Sequence, residues 1–510
     1  MPTVTPAETQ PNLRRLWLIL GILVATRLVL LVFAPHTDPS ESRYAEISRK
    51  MVETGDWITP QDAYHVPFLA KPPLSMWMSA LGMKLFGENQ FGSRIFIFGG
   101  ALAVMALVAR AGRRELGAVP GLAAATMLLG MPLFYYCSAA VMTDLALVLG
   151  TTLAMVGFRE AMRDRSKLWG YGFFVGLAVG LLAKGPLVLV MAGVPIGGWV
   201  LATGQWMRVW KSLPWFTGTV LMLALAVPWY ILAEYRTPGF LDYFIVGEHW
   251  KRFTEKGWKG DRYGSGHASP IGVVWPYWLF ATFPWCFGFL AVPFSRWREF
   301  RKWVMADEAR VLYWGLWALW PLVFFTPARN IIITYPLPAL PATALLLAAI
   351  VRSRTDDLFS WKRFQPLHPA LIGMCGVVMV YLLAISLVWL DASPKQSERD
   401  LVRRYQLDRH DGDQLLYYGN RRYSAEFYTR GAVDFTGSPE VVMKRLAQPG
   451  RLYLVVQNRY LSKLPADLQK HFTPIKSCGG KKERETLYVE RTDTPDRPTA
   501  GLSQTSTTGP

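Results

Sequence analysis

The chain has 510 residues, 51% hydrophobic and 14% aromatic, with a formal net charge of +18. Its apolar residues fall in blocks of about 20, the length a helix needs to cross hydrocarbon where no water satisfies the backbone, and this excludes an ordinary soluble enzyme. The basic excess, 55 Lys and Arg against 37 Asp and Glu, does not imply nucleic acid, because it is concentrated in loops between the blocks.

In chain order the blocks read as spans near 16–34, 91–110, 118–136, 140–158, 168–183, 186–203, 213–233, 271–293, 311–327, 330–351 and 369–390. The first is read as a retained anchor rather than a signal peptide: it is long, carries Arg27, and is followed by Pro35-His36-Thr37 instead of a small-residue cleavage site. If Arg14 and Arg15 are cytoplasmic, so are Arg110 to Arg114, Arg159 to Lys167, Arg208 to Lys211, Arg296 to Arg310 and Arg352 to Arg363. Each of these loops is basic, as the positive-inside rule expects, while the short loops around Ser138 and Ala328 are poor in charge. An odd number of spans then puts the C-terminus outside.

Three stretches share that outer face: 35–90, 234–270 and the region after about 391. In the first, Tyr44, Ile47, Met51 and Val52 form one face of a short helix and Arg43, Glu46, Arg49, Lys50 and Glu53 the other. A second helix, opened by Pro72-Pro73 and closed by Gly87, carries the stripe Leu74, Trp77, Met78, Leu81 and Leu85. Both are expected to lie in the membrane interface. The tail reads as a small α/β unit, with β-prone runs at Leu415 to Gly419, Leu452 to Val456 and Thr486 to Val489 and a helix at Pro439 to Leu446. Residues 493–510, rich in Pro, Thr, Ser and Gly, are expected to be disordered. Cys137, Cys286 and Cys375 lie in or beside spans and Cys478 stands alone in the tail, so no disulfide framework is implied.

The densest polar constellation is Asp38-Pro39-Ser40-Glu41-Ser42-Arg43-Tyr44. Structurally, Asp38 can cap a helix that begins at Pro39, with Glu41 completing a capping box. Functionally, Asp38 and Glu41 are the candidate catalytic carboxylates, orienting a sugar phosphate or taking a proton from an acceptor, beside Arg43 and Tyr44. Lys71 either snorkels to headgroups or binds a lipid-linked phosphate as a point charge. Asp144 opens the fourth span, and an ionisable group there is a functional candidate. Lys184 and Arg329 approach the same face, and together the three suit a polar cavity around an anion. In the second outer loop, Gly247-Glu248-His249-Trp250-Lys251-Arg252-Phe253 and Gly257 to His267 interleave aromatics, glycines and cations, which suits a sugar and a phosphate bound together. His249 and His267 lack the spacing of a metal pair, and no Walker-type loop is present, which argues against nucleotide hydrolysis.

These residues resemble the membrane glycosyltransferases of the protein O-mannosyltransferase clan, which have the GT-C fold, and most closely the bacterial aminoarabinose transferases that modify lipid A. The resemblance is carried by Arg43-Tyr44-Ala45-Glu46-Ile47-Ser48-Arg49, Gly55-Asp56-Trp57-Ile58-Thr59-Pro60, Lys71-Pro72 and Leu85-Phe86-Gly87. Weaker matches are Met142-Thr143-Asp144, Lys184-Gly185, Glu248-His249, Arg252-Phe253 and Thr334-Tyr335-Pro336. It covers the spans through about residue 350, is weak in the tail, and implies a polytopic α-helical membrane protein whose outer loops and spans enclose a cavity for an undecaprenyl-phosphate sugar donor. Arg43, Tyr44, Asp144, Lys184, Glu248, His249, Arg252, Arg329 and Tyr335 join Lys71 as expected substrate contacts. Lipid A or another periplasmic molecule would be the acceptor. Two departures stand out. Relatives carry adjacent Asp-Glu before Arg-Tyr, whereas Ser40 precedes Glu41 here and Asp38 is the nearest replacement. Ala70 stands where the aminoarabinose transferases carry a glutamate associated with a metal site, which leaves a divalent metal and the exact sugar open. The rival readings are a transferase acting on a protein or another glycan, and a lipid-sugar flippase. A flippase tends to place its ionisable residues near the bilayer midplane, whereas the candidates here cluster at one outer edge.

Overall fold

A computed structural model describes residues 6–263, 268–291, 297–355, 367–478 and 485–491. Gly264 to His267 of the second outer loop, most of the Arg352 to Arg363 loop and the tail segment 493–510 lie outside the described residues. The described residues form two compact bodies, one from those up to Phe33 and from Lys50–Leu387, the other from Ala34–Arg49 and from Val388 onward. The segment Ala34–Arg49 falls in the same compact body as the residues from Val388 onward.

The first body is a helical, multi-pass membrane assembly. Pro11–Phe33, Gln90–Leu116, Asp144–Asp164, Trp215–Arg236 and Ile372–Ala392 are long and apolar enough to cross a bilayer, and Ala118–Leu129, Leu187–Thr203 and Leu337–Arg352 are shorter apolar helices. Two expected spans are broken. The 118–136 block divides at Gly130-Met131 before Pro132, and the 271–293 block at Phe283-Pro284, because a proline disfavours helical backbone in the residue before it.

Where lipid gives helices no hydrophobic reason to associate, close backbone packing does the work, and small residues permit it. Gly172, Gly176 and Gly180 recur every fourth residue along Lys167–Lys184 and face Gly150, Ala154 and Gly157 of Asp144–Asp164. A Cβ on Gly176 would lie 2.4 Å from the Ala154 nitrogen, and one on Gly150 2.6 Å from the Gly180 nitrogen.

The outer-loop helices form as Ser40–Thr54 and Leu74–Phe86, yet their faces differ from expectation. On the first, Glu46, Arg49 and Lys50 are buried rather than solvated: Arg49 donates to Glu46 at 2.7 and 2.8 Å, and Lys50 Nζ to the Asp62 carbonyl at 2.7 Å. On the second, the buried face is Ser75, Met76, Ser79, Ala80, Gly82 and Met83, while Leu81 and Leu85 are 42% and 60% exposed. A Cβ on Gly82 would lie 2.1 Å from the Gly92 carbonyl, so small residues allow the helix to seat closely and Leu81 and Leu85 of the expected stripe face outward.

The second body contains a five-stranded sheet in the order Asp434–Thr436, Gln414–Tyr418, Leu452–Gln457, Glu485–Glu490, Phe472–Cys478; its first three strands are parallel and the other pairings antiparallel. Strand alternation sorts Leu416, Tyr418, Leu454 and Val456 onto one face with Val442 and Leu446, and Leu415, Tyr417, Tyr453 and Val455 onto the other with Leu401 and Val402. Helices cover both faces, the arrangement of an α/β unit.

Candidate functional site: a cation-lined cavity in the membrane body

The glycine-packed pair Asp144–Asp164 and Lys167–Lys184 is an antiparallel hairpin, so its first and last residues meet. Lys184 Nζ lies 2.8 Å from Asp144 Oδ1 and 5.5 Å from the centre of the Tyr335 ring. Asp144–Asp164 has 21 residues, about 31 Å at 1.5 Å per residue. Its far end holds a separate set of ion pairs, Arg110 with Glu160 and Arg159 with Glu115. The cavity therefore sits at one end of a helix that spans a bilayer's thickness.

Lys71 is placed by contacts between the two outer loops. The Tyr263 hydroxyl donates to the Pro67 carbonyl at 2.8 Å and accepts from the Leu69 amide at 2.9 Å, clasping the strand that leads into Lys71. Upstream, Asp56 Oδ1 accepts from the Ile58 and Thr59 amides, and Trp77 Nε1 donates to the Trp57 carbonyl, so Gly55 to Pro60 forms a turn that anchors the following helix. Glu248 and His249 stand in Asp242–Lys251, a ten-residue π-helical stretch, the wide form that recurs at functional sites. Gly185 makes room for it: a Cβ there would lie 2.7 Å from the Phe244 ring.

These elements enclose a cavity of about 330 Å³. Lys71, Asp144, Lys184, Glu248, His249, Arg252 and Tyr335 line its polar part, and Leu187, Val190, Phe253, Phe324 and Phe325 its apolar wall. Lys71 Nζ donates to Glu248 Oε2 at 2.5 Å; Arg252 donates to both Glu248 oxygens at 2.9 and 3.1 Å and lies 3.6 Å from Asp261. Burial alone would raise the Glu248 carboxyl, but Lys71 and Arg252 outweigh it and hold the group below its ordinary range. Burial pushes the Lys71 ammonium down, against the pull of Glu248. It likewise lowers His249, whose Nδ1 and Nε2 lie 2.8 and 3.0 Å from the Phe244 and Lys184 carbonyl oxygens.

Seven of the candidate residues thus meet in one cavity. Arg329 does not line it; its neighbour Asn330 does, with Nδ2 donating to the Arg252 and Glu255 carbonyls at 2.6 Å each. Asn330, Phe324 and Phe325 were not singled out on sequence, where only the adjacency of Phe324-Phe325 to the Arg329 loop hinted at them. Asp38, Glu41, Arg43 and Tyr44 belong to the other body. Helix Ser40–Thr54 begins after Asp38, and Glu41 accepts from the Thr37 amide at 3.3 Å. Asp38 instead accepts from the Ser424 amide at 3.0 Å and from the Ser424 hydroxyl, at the start of Tyr423–Thr429. Arg43 lies 4.9 Å from the centre of the Tyr423 ring. For a divalent metal the donors do not fit: Ala70 supplies none, both His249 nitrogens face carbonyls, and among the described residues no group of three His, Cys, Asp or Glu side chains is placed to hold a metal ion.

Residues 17–244 match the family described as dolichyl-phosphate-mannose-protein mannosyltransferase. The chain is 30% identical over 356 residues to the undecaprenyl phosphate-alpha-4-amino-4-deoxy-L-arabinose arabinosyl transferase of Edwardsiella ictaluri, covering 68% of this chain and 61% of the relative. It is 29% identical over 392 residues to a protein of the same description from Pseudomonas fluorescens, covering 74% and 64%. The chain thus spans less than two thirds of the length of these relatives. The crystal structure of ArnT from Cupriavidus metallidurans bound to undecaprenyl phosphate superposes with a TM-score of 0.73 at 19% identity, covering 93% of this chain and 98% of that one, which shows a shared fold. On sequence the chain is similar to these aminoarabinose transferases and, over residues 17–244, to the protein mannosyltransferase family, and it shares the fold of the solved ArnT.

Proposed function

We propose that the chain transfers a sugar of the aminoarabinose class from undecaprenyl phosphate to a phosphate of lipid A, with inversion, at the periplasmic face of a bacterial inner membrane. The N-terminus is cytoplasmic and the tail domain periplasmic in this reading, which the basic loops support. The observation that carries it is the pairing of a Lys71 and Arg252 cation clamp with an apolar wall in one cavity, which suits a phosphate joined to an isoprenoid chain. The two cations would stabilise charge that builds on the phosphate as the glycosidic bond breaks. The acceptor oxygen bonds to the sugar carbon, and the electron pair of the broken bond leaves on the lipid phosphate. An acceptor phosphate is already ionised, so orientation rather than a strong base is required. Lys184, Asp144 and Tyr335 would contact the sugar, and Asp38 would hold the second body together.

Mass analysis of lipid A from a strain lacking the gene tests this: the expected result is loss of a sugar-sized mass that returns on complementation. An unchanged lipid A profile overturns it. The match to protein mannosyltransferases favours a second reading, a protein hydroxyl as acceptor. That chemistry needs a general base, and Asp38 would be its candidate. Loss of glycan from secreted proteins with lipid A intact would select it.

A further inference from the structure

Both cations of the clamp share one carboxylate. Glu248, its side chain 1% exposed, takes Lys71 on one oxygen and Arg252 on both, with the Tyr243 hydroxyl 3.4 Å from Oε1. Among the described residues, Lys71, Lys184 and Arg252 are matched by Glu248, Asp144 and Asp261, so charges around the cavity balance as they stand. A phosphate drawing on the same donors would lie against the Glu248 carboxylate, where low dielectric makes repulsion between like charges strong.

We infer that Glu248 is a resident counter-ion that competes with the substrate phosphate for Lys71 and Arg252, and that its return to the clamp expels the polyprenyl phosphate product. The inference rests on the reading of this cavity as the donor site. Three features support it. The carboxylate presents the same kind of anionic oxygens to the clamp that a phosphate would. Arg252 Nε is a buried donor with no acceptor among the described residues, so the guanidinium has hydrogen-bonding capacity beyond Glu248. Glu248 stands on a π-helical stretch, the wide helical form that recurs at functional sites, whereas Lys71 lies on a separate loop. Charge supplies the direction of the cycle: the donor is a phosphodiester with one negative charge, the product a monoester with up to two. The product would hold the clamp most firmly, and a built-in competitor allows its release.

The test uses the full-length protein in nanodiscs with undecaprenyl phosphate as probe. Glu248→Gln should bind it about ten-fold more tightly than wild type, equivalent to one competing charge removed. It should also melt at a lower temperature without lipid phosphate and recover more on adding it, because two unpaired buried cations gain a partner. In turnover, Glu248→Gln should lower kcat through slow product release while lowering KM. Glu248→Asp, which keeps the charge and serves if the glutamine variant does not fold, should bind the probe between the two. Binding no tighter than wild type in either variant overturns the inference. Lys71→Ala separates this from failure of the donor-site reading: if it binds the probe like wild type, the site itself is misassigned.

Discussion

The two bodies bury charge in opposite balance. In the membrane body a single carboxylate, Glu248, lies between Lys71 and Arg252 and is held ionised. In the tail body, Asp38, Glu398 and Glu485 surround one guanidinium, Arg422, beside a cavity of about 150 Å³. Burial pushes Asp38 up to about 6 in spite of its bonds to Ser424 and the charge of Arg422. Burial and the neighbouring Glu485 raise Glu398 as well. Two cations sharing one carboxylate retain donors for a second anion, whereas three acids around one guanidinium favour uptake of a proton. In the proposed reading, buried ionisable groups therefore serve binding in one body and a pH-sensitive hold in the other.

The largest test of this contrast is removal of a clamp cation. Lys71→Ala or Arg252→Ala should reduce sugar transfer by about 10²- to 10³-fold, measured as modified lipid A per cell, because charge on the leaving phosphate loses a donor. Next is the scaffold that brings Asp144 to Lys184. Gly176→Leu should destabilise the helix pair by about 1–3 kcal/mol or more, since its Cβ already falls against the Ala154 backbone. Fluorescence-detected size exclusion would show loss of the monodisperse peak, with Gly176→Ala affected less.

Asp38→Asn sharpens the comparison from the other side. It should leave lipid A modification close to wild type while loosening the second body by about 1 kcal/mol, read as faster amide exchange in Tyr423–Thr429. Loss of transfer with normal exchange would return Asp38 to catalysis. The smallest expected effect is that of pH. A carboxyl raised from 3.8 unfolded to about 6 folded is protonated first in the folded state, so between these values folding takes up protons. The second body should gain stability as pH falls from 7 toward 5, seen as slower exchange in Leu452–Gln457 after correction for intrinsic rates. Asp38→Asn should flatten that trend. Glu248, shifted the opposite way, should add nothing to that trend.

Much of the fold was legible because hydropathy and periodicity are local properties. Each expected span contains helix, Pro439–Leu446 forms where read, and Leu452–Gln457 is the strand its apolar run implied. The Gly172, Gly176, Gly180 repeat was equally visible and would have predicted the tightest helix pair. The cavity was legible in part: Lys71, Lys184 and Glu248 were identifiable as charges that membrane-edge positions rarely carry without a partner. The identity of that partner was not, because Lys71 and Glu248 are 177 residues apart.

Sequence alone determined the membrane-spanning character, the α/β tail and the chemical types at the site, since each depends on runs of neighbouring residues. Only tertiary structure decided which charges pair, that Asn330 rather than Arg329 lines the cavity, that Leu74–Phe86 turns Leu81 and Leu85 outward, and that Asp38 holds Ser424. These outcomes depend on the direction of each side chain, and a shift of one residue along a helix, about 100° of rotation, moves a side chain from cavity to lipid.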